Sequence, residues 1–275
     1  MEIIDTNNMM ITVAQSFASD KKTAANAYDI TAMRKVMISF VSKHIQAGRK
    51  VTLAVDSNSW RKDFFPLYKF RRYEDKGRSD FEYGRFIGVM QAVVDEMREH
   101  SPCAVVRVPG AEGDDIIAVL TALFHEEGVV IHSTDGDLLQ LQEYYPNVRQ
   151  FSPSTWKYIT PASKEYDINE HIVRGDSGDG VPNVYSEDNV FAERIRSVVL
   201  TKPRYDAAFE LVKHNSVLEM DADFLRRYKR NKKLVDLREI PDDVAIRIIS
   251  AFEEESSKVR PVGAYSRYLA SHGIV

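Results

Sequence analysis

The sequence predicts an α/β fold with a mostly parallel sheet, followed by a helical C-terminal region. Two observations support this prediction. Over the first 160 residues, short apolar runs rich in β-branched residues alternate with amphipathic helical patterns, which is typical of a parallel sheet with right-handed crossovers. After Pro161, helix-like segments dominate. We therefore expect a core domain at 1–160 and a helical region at 161–275.

Four apolar runs have the length and composition of buried strands. They cover residues 1–5, 51–56, 103–108 and 129–133. Two further runs, 148–151 and 156–159, flank Pro153 and predict a hairpin. Helical periodicity predicts helices over 31–46, 81–99 and 112–126 in the core, and over 164–173, 190–200, 204–214, 222–237, 242–255 and 264–272 beyond it.

The composition is that of a globular protein with a buried core, because 44% of the 275 residues are hydrophobic. The net charge of −4 is no overall sign of a nucleic-acid binder, so local clusters of charge matter more. The single cysteine, Cys103, excludes an intrachain disulfide and favours a reducing compartment. No apolar run has the length of a membrane span, and the N-terminus shows no signal-peptide pattern. We therefore expect a cytoplasmic monomer without membrane contacts.

Acidic residues follow each of the four predicted buried strands. They are Asp5, Asp56, Glu112, Asp114, Asp115, Asp135 and Asp137. Because the carboxyl ends of parallel strands meet at one edge of a sheet, we expect these carboxylates to lie together. So much negative charge is costly unless a cation lies among it. Oxygen ligands are those that Mg²⁺ and Mn²⁺ prefer, so the pattern predicts a metal site.

Each acidic cluster also has a simpler interpretation. Residues 112–115 are what the first turn of a helix favours, because the helix dipole stabilises negative charge there. Residues 134–137 are compatible with a turn and an N-cap. A third cluster, Asp176 and Asp179, lies in a glycine-rich turn that turn formation alone would explain. Beside the other carboxylates we interpret it as a second metal site.

A basic segment with interleaved aromatic residues follows Asp56 directly. Its cations are Arg61, Lys62, Lys69, Arg71, Arg72, Lys76 and Arg78, and its aromatic residues are Phe64, Phe65, Tyr68, Phe70 and Tyr73. Base stacking combined with phosphate contacts is typical of single-strand binding. The alternative is a solvated basic helix with its aromatic side chains packed inward.

A second basic run places six cations in eight residues. They are Arg226, Arg227, Lys229, Arg230, Lys232 and Lys233. Such a run would neutralise duplex phosphates and make binding sensitive to salt. An ordinary solvated helix face is the alternative.

The order of the acidic motifs resembles the 5′-nuclease, or flap endonuclease, family. The resemblance spans nearly the whole chain, and it extends to residues 60–64, 68–69, 150–153 and 227–241. It implies a PIN-like core and a helical arch over residues 59–80. It also implies two divalent cations, Mg²⁺ or Mn²⁺.

The resemblance also implies roles for individual residues. Around the first metal it places Asp5, Asp56, Glu112, Asp114 and Asp135, and around the second Asp137, Asp176 and Asp179. Asp115 could serve either metal or the outer shell. In the arch it assigns Tyr68, Lys69 and Arg72 to the scissile phosphate. The spacing of three residues between Lys69 and Arg72 places both on one helical face.

The activity implied by the resemblance is a 5′ to 3′ exonuclease and flap endonuclease that removes RNA primers and adjacent DNA during phage DNA replication. Two-metal hydrolysis of phosphodiesters would be its chemistry. Its implied substrates are RNA–DNA hybrids and 5′-flap or nicked duplex DNA. Its implied partners are replication proteins such as a single-stranded-DNA-binding protein or a sliding clamp, in the cytoplasm of a bacterial host.

Two other functions remain open. One is a PIN-type endoribonuclease acting on single-stranded RNA, although the basic insert and the helical C-terminal region argue against it. The other is a non-catalytic nucleic-acid-binding relative, which would have lost acidic positions, whereas none of the expected ones is missing. Small phosphotransfer domains also use acidic strand ends, but they do not need Asp176 and Asp179.

One segment departs from the family pattern. After its last aspartates the family usually has a Gly-x-Gly-x-Lys hairpin that grips duplex DNA and a monovalent cation. Residues 184–189 of this chain, Val-Tyr-Ser-Glu-Asp-Asn, lack the glycine pair. The sequence therefore does not predict a potassium site or the usual duplex grip there.

Overall fold

The computed structural model describes residues 1–16, 30–72, 83–164, 166–258 and 262–274. Its sheet has the strand order β3-β2-β1-β4-β5-β6. The strands are β1 (Glu2–Asp5), β2 (Val51–Ala54), β3 (Ala104–Val106), β4 (Val129–His132), β5 (Val148–Ser152) and β6 (Lys157–Ile159). β1 to β5 pair in parallel, and only β6 runs antiparallel, against β5. The predicted mostly parallel sheet and the predicted hairpin are confirmed.

The helices account for most of the remaining described chain. They are α1 (Thr6–Ser16), α2 (Ile30–Gln46), α3 (Arg61–Phe64), α4 (Tyr83–His100), α5 (Gly113–Phe124), α6 (Gln140–Tyr144), α7 (Pro161–Lys164), α8 (Ile168–Arg174), α9 (Lys202–Lys213), α10 (Ala222–Val235), α11 (Asp242–Ser257) and α12 (Val262–Ser271). Short 3₁₀ turns cover His125–Glu127, Asp137–Leu139, Val217–Glu219 and Leu237–Glu239. None of the described helices is long and apolar enough to cross a bilayer.

The chain forms two compact units that alternate along the sequence. The sheet unit comprises Met1–Asn58, Ser79–Thr160 and Asp242–Val275, and the helical unit comprises Ser59–Arg78 and Pro161–Pro241. Both this division and the sequence-based one break at residue 160. They differ in two segments: Ser59–Arg78, expected in the core domain, belongs to the helical unit, and the last segment belongs with the sheet, because α11 packs on β3 and α5.

The sheet unit has a core of aliphatic residues on neighbouring layers. β1 and β2 are buried along their full length, which explains their continuous apolar pattern. Ile38 and Val41 of α2, Met97 of α4 and Leu53 of β2 are inaccessible to solvent and belong to one cluster. This packing holds the strands in register and thereby sets where their carboxyl ends lie.

The helical unit has its own core. Ile172 of α8 and Phe224 and Leu234 of α10 are buried in a single cluster. Helix α8 begins at an N-cap, Asp167, and α10 at another, Asp221, whose carboxylates accept backbone N–H groups of the first turn. These caps satisfy donors that would otherwise have no partner within the helix.

The helix predicted over 190–200 is wrong. The chain makes one turn there, in which the N–H of Ile195 donates to the Val190 carbonyl (2.9 Å), and then runs irregularly to residue 200. Arg194 has φ +56°, a left-handed conformation that a helix cannot accommodate. The N–H of Val198 donates to the Ser186 hydroxyl (2.9 Å) instead of to a helical carbonyl.

Candidate active site

Carboxylates lie at the ends of three adjacent parallel strands. Asp5 is the last residue of β1, Asp56 lies two residues after β2, and Asp135 lies three residues after β4. Because β1 pairs with both β2 and β4, these positions are neighbours along one edge of the sheet. Glu112 stands immediately before α5, and Asp114 lies in its first turn. We call this group the carboxylate edge.

Asp5 is buried, with only 6% of its surface exposed. Its carboxylate accepts hydrogen bonds from the backbone N–H of Asn8 (3.0 Å) and from the Ser133 hydroxyl (2.8 Å). Burial raises the pKa of Asp5 to about 7, and the nearby carboxylates of Asp56 and Asp135 act in the same direction. The negative charge of Asp5 is therefore costly in this buried position beside two other carboxylates.

Asp56 joins the carboxylate edge to the N-terminus of α5. Its Oδ1 accepts from the backbone N–H of Gly113 (2.5 Å), and its Oδ2 accepts from the side-chain amide of Asn7. A Cβ at position 113 would lie 2.8 Å from Asp56 Oδ1, so the close approach requires glycine. The positive end of the helix dipole stabilises a carboxylate in this position. The contact brings Glu112 and Asp114 to the edge.

Asp115 has a structural partner. It is fully buried, and its carboxylate accepts the backbone N–H of Glu112 (2.9 Å), while the Glu112 side chain accepts from the backbone of Asp115. This reciprocal capping stabilises the first turn of α5. The role of Asp115 toward either metal stays a prediction.

The loop after β4 is held by residues that the sequence analysis did not identify. The N–H of Asp137 donates to Asp135 Oδ1 (2.9 Å), which keeps these two carboxylates in one turn. Buried Gln150 on β5 donates to the Asp135 carbonyl (2.6 Å), and Asn8 accepts from the N–H of Thr134 (3.0 Å). The signal available in the sequence was the pair of asparagines two and three residues after the strand-terminal Asp5, whereas β5 (Val-Arg-Gln-Phe-Ser) is too polar for Gln150 to stand out.

The carboxylate edge suits a hard divalent cation. The predicted ligands all offer oxygen, which Mg²⁺ and Mn²⁺ prefer. The Oδ1 of Asn7, whose amide binds Asp56, is buried and has no hydrogen-bond partner among the described residues. Within the described part of this unit, no three of the predicted carboxylates bring oxygens within 4.8 Å of one another.

In the helical unit, Asp176 and Asp179 share one tight turn. Asp176 Oδ1 accepts from the backbone N–H of Gly178 (2.7 Å) and of Asp179 (3.1 Å). Burial alone would raise the pKa of Asp176, but His171, 3.7 Å away, and these backbone donors hold the pKa below its usual value. The turn explains both aspartates locally, and their role as metal ligands stays a prediction.

Three residues with predicted catalytic roles converge on Asp179. The Tyr68 hydroxyl donates to Asp179 Oδ2 (2.8 Å), and Lys69 Nζ lies 3.5 Å from the same oxygen. Arg72 forms an ion pair with Oδ1. Lys69 has φ +56°, which is costly for a lysine, and its N–H donates to the Asp179 carbonyl (2.7 Å). A turn at Lys69 and a shared carboxylate, not one helical face, therefore bring these side chains together.

Two predicted phosphate-binding residues are buried inside the helical unit. Arg61 donates from Nε to the Leu234 carbonyl (2.9 Å), and Arg230 donates to the Pro182 carbonyl (2.9 Å). The prediction that Arg61 and Arg230 contact nucleic acid is therefore corrected. Burial removes both guanidinium groups from phosphates, and they satisfy backbone carbonyls instead.

The second basic run forms ion pairs with the segment that departs from the family pattern. Arg226 pairs with Asp188 (2.8 Å), and Arg227 pairs with Glu187. These contacts tie residues 184–189 to α10. Lys229 is exposed and forms no ion pair with a described residue. Part of this run thus stabilises the fold and is not simply a solvated face.

Nucleic-acid contacts of the remaining cations stay predictions. The described ones are Lys62, Arg71, Arg226, Arg227, Lys229, Lys232 and Lys233. Lys76 and Arg78 lie outside the described residues, as does most of the second half of the expected arch.

Two features of this chain are typical of nucleases whose active sites are built from carboxylates. One is the group of carboxylates at the carboxyl edge of a parallel sheet, and the other is the set of basic side chains around a second acidic turn. Comparison with protein families agrees. Residues 1–171 match the model described as 5'-3' exonuclease, N-terminal resolvase-like domain, and residues 162–275 match T4 RNase H, C terminal. The chain therefore belongs to the 5′-3′ exonuclease family and is a nuclease, an enzyme of the hydrolase class.

Individual relatives support this assignment. The chain is 28% identical over 287 residues to the ribonuclease H of Enterobacteria phage T4, covering 99% of this chain and 92% of that protein. It is 29% identical over 175 residues to the flap endonuclease Xni of Shewanella pealeana, covering 58% and 63%. The crystal structure of the bacteriophage T5 D15 flap endonuclease shares the fold, with a TM-score of 0.64 at 16% identity over 94% of this chain and 99% of that one. The resemblance stated from the motifs is confirmed, including its PIN-like fold.

The raised pKa of Asp5 predicts how stability depends on pH. Between pH 3.8, the usual pKa, and about 7, the folded protein binds a proton that the unfolded chain releases. The free energy of unfolding should therefore fall as the pH rises through this window and then level off. Thermal unfolding of the EDTA-treated protein at a series of pH values measures this. Asp5→Asn should remove that part of the slope, whereas exposed Asp243→Asn should retain it; identical slopes in wild type and Asp5→Asn would contradict the shift.

The close approach of Asp56 to Gly113 predicts that a larger residue at position 113 alters the Mg²⁺ dependence of cleavage. Gly113→Ala should push the Asp56 carboxylate from its place and raise the Mg²⁺ concentration for half-maximal cleavage by on the order of 10-fold. The matched control is Gly88→Ala in α4, where a Cβ meets no atom within 4 Å. That change should stabilise the helix by about 0.5–1 kcal/mol and leave the Mg²⁺ dependence unaltered. Equal Mg²⁺ dependence in the two variants would show that Asp56 tolerates displacement.

Proposed function

We propose that this chain is a divalent-cation-dependent 5′ to 3′ exonuclease and flap endonuclease that removes RNA primers and adjacent DNA during phage DNA replication. The observation that carries the proposal is the carboxylate edge, where buried Asp5 has its pKa raised to about 7 beside Asp56 and Asp135. An edge with excess negative charge and oxygen ligands is suited to Mg²⁺ or Mn²⁺.

The names of the relatives support the substrate class. The phage T4 relative is named ribonuclease H, and the Shewanella relative is named a flap endonuclease. The T5 flap endonuclease was crystallised as a complex with DNA and metal ions. We therefore propose RNA–DNA hybrids and 5′-flap or nicked duplex DNA as substrates. Replication proteins, such as a single-stranded-DNA-binding protein or a sliding clamp, are the proposed partners, in the cytoplasm of the host.

In the proposed reaction, the bound divalent cations would supply an activated water and stabilise the leaving oxygen. Asp5, Asp56 and Asp135 would hold the first cation, with Glu112 and Asp114 beside them. Hydrogen bonds from Ser133 and Asn7, among others, keep the first two carboxylates oriented. Asp137, Asp176 and Asp179 are the proposed ligands of the second cation.

The side chains of Lys69 and Arg72, which form ion pairs with Asp179, would act on the substrate phosphate. Lys69 and Arg72 are held by one carboxylate before any substrate binds, and Tyr68 donates to the same group. A cation fixed in advance stabilises the charge that builds on the phosphate in the transition state without reorganisation. We therefore propose that this trio contributes to the chemical step more than to substrate affinity.

Removal of one carboxylate tests the metal chemistry. Asp135→Asn should abolish Mg²⁺-dependent cleavage of a 5′-labelled RNA–DNA hybrid, because it removes a ligand, while equilibrium binding in Ca²⁺ stays measurable. Exposed Asp243→Asn is the matched control and should cleave at the wild-type rate. Cleavage that persists in EDTA, or an Asp135→Asn variant that is as fast as wild type, would refute the metal proposal.

Single-turnover kinetics test the trio on Asp179. Lys69→Ala and Arg72→Ala should each lower the rate at saturating enzyme by on the order of 10²-fold. Substrate affinity in Ca²⁺ should change much less, since other cations remain. Lys202→Ala, which removes an exposed lysine of the same unit, should change neither quantity. If affinity collapses while the rate holds, these residues grip the substrate and do not assist the chemistry.

A further inference from the structure

The sheet unit contains a second cluster of metal-ligand side chains, separate from the carboxylate edge. Glu2 comes from β1, His44 from α2 and His132 from β4. One potential ligand atom of each lies within 4.8 Å of those of the other two. Three rigid elements therefore present two imidazoles and a carboxylate to one point.

This cluster faces away from Asp5. Glu2 and Asp5 lie three residues apart on β1, so their side chains point to opposite faces of the sheet and their backbones are about 10 Å apart. His132 pairs in register with Ile4, which shares the face of Glu2. The carboxylate edge and the Glu2 cluster therefore do not share ligands.

One oxygen of Glu2 is directed at both imidazoles. Glu2 Oε2 forms a hydrogen bond with His132 Nε2 and lies 3.7 Å from His44 Nδ1. The other oxygen, Oε1, is held by Arg49. Arg49 thus orients the carboxylate in the way that outer-shell groups orient metal ligands.

We propose that Glu2 Oε2, His44 Nδ1 and His132 Nε2 bind a transition-metal ion of the Zn²⁺ class. Two imidazoles and one carboxylate are ligands that Zn²⁺ accepts, whereas Mg²⁺ prefers oxygen alone. Three protein ligands leave a fourth position for water.

The three side chains lie near the spacing that a bound Zn²⁺ would require. Ligand distances of about 2.0–2.2 Å place the atoms around a tetrahedral Zn²⁺ roughly 3.4 Å apart. The present separation of 3.7 Å between His44 Nδ1 and Glu2 Oε2 is close to this value. His132 Nε2 and Glu2 Oε2, which share a hydrogen bond, would move apart to reach the same spacing. The His44 and His132 rings already contact each other, with centroids 4.6 Å apart.

The surroundings limit the access of water to the cluster. Aromatic rings of Phe40 and Phe151 pack against His132, with centroids 5.2 and 5.6 Å away. The His44 side chain remains one-fifth exposed, which leaves an entry path for an ion.

The site should be weaker than a closed structural zinc site. It has three protein ligands, and Nδ1 of His132 has no hydrogen-bond partner among the described residues to fix the ring. Its expected consequence is structural, because the ion would link α2 to β1 and β4. Zn²⁺ should therefore raise the melting temperature of the protein.

The test uses the full chain, freed of metal by a chelator and then kept in excess Mg²⁺ to compete at the carboxylate edge. Calorimetric titration with Zn²⁺ should show one bound ion per chain. Co²⁺ should give the visible absorption of a tetrahedral or five-coordinate nitrogen-containing site. A protein that retains no Zn²⁺ in excess Mg²⁺ would overturn the proposal.

Variants locate the ion. His44→Ala should weaken Zn²⁺ binding at least 10-fold and abolish the rise in melting temperature, since His44 is only partly buried and its loss leaves the core intact. Exposed His214→Ala and the edge variant Asp135→Asn should bind Zn²⁺ as wild type does. Unchanged Zn²⁺ binding in His44→Ala, or its loss in Asp135→Asn, would place the ion elsewhere and overturn the proposal.

Discussion

Repulsion among carboxylates is the constraint that shapes the sheet unit. Asp5 is buried at the end of β1, and Asp56 and Asp135 follow the two strands that pair with it. The unit offsets the repulsion with donors aimed at single oxygens, such as the Ser133 hydroxyl and the Gly113 N–H. Burial, together with the neighbouring carboxylates of Asp56 and Asp135, still raises the pKa of Asp5 to about 7. The residual strain is what a bound proton or a divalent cation would relieve.

The helical unit handles negative charge in a different way. Asp179 is compensated by Lys69 and Arg72 from the same unit, and Asp188 is compensated by Arg226 and Arg230. Several basic side chains of the two basic segments therefore form ion pairs within the protein. The consequence for function is that Lys69 and Arg72 are positioned by the protein and not by the substrate, which favours a role in chemistry.

Local patterns in the sequence were sufficient for the sheet and for the positions of the acidic residues. Buried β-branched runs have few structural alternatives, and an aspartate directly after such a run must lie at a strand end. The same reasoning failed over 190–200, where the sequence predicts a helix. There a left-handed residue, Arg194, and a hydrogen bond from the Val198 N–H to the Ser186 hydroxyl impose an irregular path. Tertiary contacts outweigh weak local preference in such segments.

The sequence by itself determined the parallel sheet, the family and the set of carboxylates, because each depends on short-range patterns and motif order. Only the tertiary structure decided which charged side chains are buried and which contact each other. The burial of Arg61 and Arg230 depends on the packing of α3 and α10, and no spacing in the chain reveals it. Glu2 and His132 are 130 residues apart, and they touch because β1 and β4 pair in one register. Strand register and helix docking are properties of the whole fold, so contacts that depend on them cannot be derived from local sequence.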